Sequence, residues 1–168
     1  MRLFIAILLT EEMQHALTDA QSALRMRSFR GRYSPRENLH LTLTFIGEYD
    51  GPDKVLECMK KTPFSPFDLR LNGQIGNFDQ ILWAGLADCP PLMEYVRGVR
   101  QAMREAGVPF DAIDYHPHIT LLRKARSPQD FRDIAVAQTG MTVSRISLMS
   151  TEMTREGAYY VERGAITG

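Results

Sequence analysis

The chain has 168 residues, 44% hydrophobic and 24% charged, with a formal net charge of zero at pH 7. That is enough for one domain, or two small lobes folded together, around a sizeable core. A neutral chain has no global field drawing it to nucleic acid or membrane, so any polyanion must be met by a local patch.

In chain order, the apolar run Leu3 to Leu9 comes first. It is too short to span a bilayer. It also lacks a small-residue cleavage site before Glu11 and Glu12, so it reads as a buried strand over 2–9 rather than a signal peptide. Thr10 can cap a helix whose positive end suits Glu11 and Glu12. Met13, Ala16, Leu17, Ala20 and Leu24 recur at helical spacing, which predicts an amphipathic helix over 11–26. The stretch RMRSFRGRYSPR reads as an arginine-rich loop, and NLHLTLTFIG as a strand over 38–46 stopped by Gly47. In it Leu39, Leu41, Leu43 and Phe45 form one greasy face against His40, Thr42 and Thr44.

A short helix over 52–61 turns Val55, Leu56 and Met59 inward and ends before Pro63. Strands follow at 67–73 and 81–86. Pro90 and Pro91 open a helix over 91–106 with Leu92, Tyr95, Val96, Val99 and Met103 on one face, ended by Gly107. A strand at 117–122 comes next. Ser127 and Pro128 make a good N-cap and first position for a helix over 128–138. Strands near 141–150 and 158–163, split by a turn at Arg155–Gly157, close the chain. Helices and strands alternate, but several strands sit back to back, which favours an α+β (mixed α/β) fold over a doubly wound sheet. Cys58 and Cys89 stand at neither metal nor redox spacing, and the expected home is the cytoplasm.

The chemistry lies in a repeat. His40-Leu41-Thr42-Leu43 returns as His118-Ile119-Thr120-Leu121, 78 residues downstream. In a strand, residues i and i+2 share a side, so His40 projects with Thr42 and His118 with Thr120, each from an apolar handle. Two imidazoles titrating near pH 6.5 can serve as acid and base across one cleft. Threonine hydroxyls can donate to oxygens that gain charge. A phosphodiester suits such a site because its attacking and leaving oxygens lie on opposite sides of phosphorus. The reaction calls for no metal and no cofactor.

On these motifs the chain resembles the 2H phosphoesterase superfamily. More closely, it resembles the RNA 2′,3′-cyclic phosphodiesterases, the LigT or 2′-5′ RNA ligase-like family. MRLFIAILLTEE, ILWAGL and GAYYVERG extend the likeness along most of the chain. The resemblance implies a single bilobal domain over 1–168, with two antiparallel-rich sheets flanked by helices around a central groove and one motif from each lobe. It implies hydrolysis of a terminal 2′,3′-cyclic phosphate to a 2′-phosphate, with a capacity to join ends through a 2′-5′ bond in reverse. His40 would be the proton donor and His118 the acceptor. One departure is Tyr33, where the family usually carries tryptophan.

Other candidates differ in charge and position. Arg123 matches the family's phosphate-binding arginine and has the right fork, but strict alternation from His118 points it away unless a bulge near Leu122 re-aims it. Arg25, Arg27, Arg30, Arg32 and Arg36 form the one strong basic cluster, either a solvated loop or an arm tracking RNA phosphates, with Tyr33 placed to stack or to anchor. Tyr115, just before the second motif, either lines the groove or packs. His116 and His118 with His40 would give three imidazoles to a metal, a minor reading. The expected partner is RNA with a 2′,3′-cyclic phosphate end, tRNA-derived ends included. The rivals are a small cyclic nucleotide such as an ADP-ribose cyclic phosphate, and a non-catalytic RNA-binding role. A monomer with no membrane contact is expected.

Overall fold

A computed structural model describes residues 1–127 and 129–168. The elements run β1 Arg2–Leu8, α1 Glu11–Met26, β2 Arg30–Tyr33, β3 His40–Glu48, α2 Pro52–Lys60, β4 Phe67–Phe78, β5 Ile81–Leu86, α3 Pro90–Ala106, β6 His118–Arg126, β7 Gly140–Val143, β8 Arg145–Thr154 and β9 Gly157–Thr167. The strands form two antiparallel sheets. One has the order β3-β1-β8-β9 and the other β2-β6-β5-β4-β7.

The helices follow their sequence signals. Thr10 caps α1 by accepting from the Met13 N–H at 3.3 Å, and the predicted apolar stripe is buried together with Gln21. In α2 the buried set is Val55, Cys58 and Met59, with Leu56 only half-buried. In α3 all five predicted inward residues are buried. Leu3, Ile5 and Ile7 of β1 join the helices and the inner face of the second sheet in one apolar core. Phe4 and Ala6, on the opposite face of β1, pack with Met149 and Tyr160 in a smaller cluster. His40 lies on that second face, its ring centroid 5.1 Å from that of Phe4.

Two expectations fail for tertiary reasons. The arginine-rich stretch is not all loop: Arg30–Tyr33 forms β2, which adds to the edge of β6. No helix forms among the described residues of 129–139; Pro128, the expected first helical position, lies outside them. Instead Ile134 and Val136 are buried at a spacing of two, and the Val136 N–H goes to the Gly73 carbonyl at 3.0 Å. Thr139 accepts from the Leu71 N–H, so the segment spends part of its backbone groups on β4 rather than on a helix. Ser127 still accepts from the Gln129 N–H, as a local turn.

No helix among the described residues is long and apolar enough to cross a membrane.

Candidate active site

His40 opens β3 and His118 opens β6, and the two rings are held the same way. Nδ1 of His40 lies 2.7 Å from the Asn38 carbonyl, and Nδ1 of His118 lies 2.7 Å from the His116 carbonyl. A carbonyl can only accept, so each Nδ1 carries a hydrogen and donates it to the residue two positions earlier. Each Nε2 is thereby left with the lone pair in the neutral ring, the position an acid–base group needs. At His40, Nε2 lies 2.8 Å from Thr42 Oγ1, whose hydroxyl donates to the neutral ring. Nε2 of His118 has no protein partner among the described residues.

Aromatic walls brace both rings. His40 sits between Phe4, with centroids 5.1 Å apart, and Tyr160 at 5.0 Å. His118 sits between Phe78 at 5.0 Å and Trp83 at 5.9 Å. Trp83 lies half-buried beside His118. A Cβ at Gly76 would come within 2.3 Å of its indole, so the ring rests flat on a glycine of β4.

Both imidazoles are pushed below their usual pKa. For His40 burial dominates; the bond to Asn38 opposes it, and the charges of Arg123 and His118 add to it. For His118 burial again dominates, opposed by the bond to His116 and reinforced by His116 and Arg123. Arg123 therefore lies near enough to both rings for its charge to disfavour their protonation. Its position depends on a bulge. Thr120 pairs with Trp83, but Leu122 pairs with Leu82, so β6 carries one extra residue. Leu121 and Leu122 are both buried, and Arg123 emerges on the side of His118 and Thr120.

β3 carries the same device. Thr42 pairs with Ala6 and Thr44 with Ile5, so a residue is inserted there too. Thr44 turns inward at 3% exposed, and Phe45 turns outward at 53%. The expected greasy face therefore ends at Leu43, and Phe45 joins the histidine side. Sequence alternation missed it. The available signal was the comparison of HLTLTF with HITLLR, which sets Phe45 and Arg123 at the same place, five residues after each histidine. Phe45 lies 6.0 Å from Phe4, and both line a cavity of about 310 Å³ with Arg2, Gly47, Asp111 and Thr151.

The remaining candidates are distributed unevenly. The structure holds Tyr115 half-buried, with its hydroxyl donating to the Thr42 carbonyl at 2.9 Å, so it ties the approach to the second motif to the first motif strand. Burial pushes that phenol's pKa up. Tyr33 faces inward: its hydroxyl donates to the Phe29 carbonyl at 2.7 Å, and the Arg25 guanidinium lies 4.0 Å over its ring. Thr120 is half-exposed on the His118 side, and its carbonyl accepts from Ser34 Oγ. Arg32 pairs across the strands with Arg123, and Arg30 with Arg126. Among the described residues no three His, Cys, Asp or Glu side chains converge as metal ligands. His116 instead packs edge-on against Phe78 and Trp83.

The family model of the 2′-5′ RNA ligase superfamily matches residues 12–155. An RNA 2′,3′-cyclic phosphodiesterase of Thermotoga maritima is 29% identical, over 95% of this chain and 91% of its own. An RNA 2′,3′-cyclic phosphodiesterase of Thermus thermophilus is 34% identical, over 77% of this chain and 72% of its own. The crystal structure of the Thermus thermophilus protein TT0787 has the same fold, with a TM-score of 0.84 at 27% identity, covering 99% of this chain and 97% of that one.

Proposed function

The chain belongs to the 2′-5′ RNA ligase superfamily, and from that premise we propose that it is an RNA 2′,3′-cyclic phosphodiesterase working by paired histidines. The observation that carries this reading is the matched pair of imidazoles, each with Nδ1 tied to its own strand and Nε2 left for chemistry, under the shared charge of Arg123.

In the reaction, Nε2 of His118 takes a proton from water as the water oxygen bonds to phosphorus. The bond from phosphorus to the 3′ oxygen breaks, and His40 gives that oxygen its proton. The product is a 2′-phosphate beside a free 3′-hydroxyl. The unpartnered Nε2 of His118 suits the base, and the assignment of His40 as acid follows the family resemblance. Thr42, Thr120 and Arg123 hold the non-bridging oxygens, where charge gathers. Burial disfavours protonation of both rings in the free protein, and a phosphodiester anion beside His40 favours the imidazolium, so substrate binding helps to charge the acid. A 5′-hydroxyl taking the place of water at phosphorus gives a 2′-5′ linkage by the same proton transfers, which is the ligation the superfamily name describes. Phe45, exposed on the histidine side, offers the neighbouring base an apolar platform.

The test is hydrolysis of a short RNA ending in a 2′,3′-cyclic phosphate, with chelator present and the product regiochemistry determined. A 2′-phosphate product formed in chelator is the expected result. Folded protein that converts neither this RNA nor a cyclic mononucleotide would sink the reading.

A further inference from the structure

Away from the histidines, four cations surround one recess. Arg30 and Arg32 of β2 and Lys124 and Arg126 of β6 line a space of about 350 Å³ together with Gly31. Among the described residues none of the four has an acidic partner. The other arginines of the cluster are occupied. Arg25 covers Tyr33, Arg27 pairs with Asp133, and Arg36 donates to Gln14 and to the Glu11 carbonyl. The fold thus divides a basic stretch into arginines that build structure and arginines left facing solvent.

The backbone brings these charges close together. Gly31 has φ of +146°, and a Cβ there would meet the Arg123 carbonyl oxygen at 2.5 Å and that of Lys124 at 2.7 Å. Only glycine lets β2 lie this tightly on β6. Lys124 itself adopts a left-handed φ of +55°. Four like charges around one recess repel one another, and an anion is what relieves them.

The recess also connects to the groove. Arg32 lies opposite Arg123, whose charge acts on both imidazoles, and Arg30 lies opposite Arg126. Arg123 and Arg126 are three residues apart, about 10 Å along a strand. That is beyond the reactive phosphate of a nucleotide held at the histidines, but within reach of the next phosphates along a polynucleotide. Among the described residues no aromatic side chain lines the recess, so it has charge to hold a backbone and no stacking surface for a base.

We propose that this recess is a second anion site, which binds backbone phosphates of single-stranded RNA on the 5′ side of the terminal cyclic phosphate. It makes RNA strands, rather than cyclic mononucleotides, the better substrates, without regard to base sequence. The proposal rests on the RNA-end reading above.

The test compares kcat and KM for a cyclic mononucleotide and for an oligoribonucleotide with a 2′,3′-cyclic phosphate end, across a salt series, in wild type and in the Lys124→Gln/Arg126→Gln double variant. Wild type should favour the oligomer, and the preference should shrink as salt rises. The variant should raise KM for the oligomer on the order of tenfold, with kcat and all mononucleotide kinetics unchanged. Each phosphate that the variant no longer engages should flatten the log–log salt dependence by about 0.7. Equal kinetics for wild type and variant on the oligomer, or an equal loss on both substrates, overturns the site while leaving the RNA-end reading intact. Wild type that turns over neither substrate overturns both.

Discussion

β3 and β6 deliver the same tool by the same means: a histidine locked through Nδ1 to the carbonyl two residues back, a threonine beside it, and a bulge that brings the fifth residue onto the same side. They differ in what the bulge presents and in what lies alongside. β3 is the edge of its sheet and presents Phe45, whereas β6 presents Arg123 and is flanked by the arginine-bearing β2. The difference teaches that a near-symmetric frame can present two unlike surfaces. One strand offers an apolar platform and the other a run of charge, on either side of two similar imidazoles.

The strongest way to break the equivalence of the two strands is at the histidines. His40→Ala and His118→Ala should each lower kcat by about 10²- to 10⁴-fold. A phosphodiester with a nitrophenolate leaving group needs no acid, so on that substrate the His40→Ala defect should shrink and the His118→Ala defect should persist. Defects that shrink equally would remove the distinction of acid from base.

Arg123→Gln should cost about 10²- to 10³-fold in kcat, as loss of a donor to developing charge does. Arg123→Lys should restore only part of this, because an ammonium lacks the fork. Phe45→Ala should instead act on KM, by about 1–3 kcal/mol of binding, with kcat near wild type. A kcat effect at Phe45 equal to that at Arg123 would erase the contrast between the two bulges.

The pH dependence sharpens the same comparison. Burial lowers both imidazoles, so in the free protein the singly protonated pair is most populated below pH 6.5. The kcat/KM profile should therefore peak on the acid side of 6.5 and fall as pH rises through neutrality. The kcat profile reports the complex, in which the phosphate anion favours imidazolium, and should lie at higher pH. Superimposable profiles would show that the substrate does not charge the acid.

The smallest effect is expected at the bridge between the strands. Tyr115→Phe removes one bond to the Thr42 carbonyl and should cost about 0.5–1.5 kcal/mol in thermal or urea unfolding. Its chemistry should survive, since the ring still packs. A loss of kcat as large as that of His40→Ala would place Tyr115 in the reaction itself.

Short-range pattern determined much of this protein. Thr10 with Glu11 and Glu12, the stripe from Leu92 to Met103, and the alternation in FDLRLNG each specify an element through contacts a few residues long. The twin His-x-Thr-Leu unit likewise singles out, before any fold is known, the two imidazoles for which acid–base chemistry is proposed. Tertiary structure decided the rest, because those features depend on partners distant in sequence. The extra residues in β3 and β6 exist only relative to β1 and β5, yet they put Thr44 inside and Phe45 and Arg123 in play. Residues 129–139 follow a helix-like start, but Ile134 and Val136 are buried and the Val136 N–H goes to β4. Arg30 and Arg32 become a strand, and one side of a recess, only once β6 is there to accept them. Periodicity says which residues share a side; the register of the neighbouring strand says which side that is.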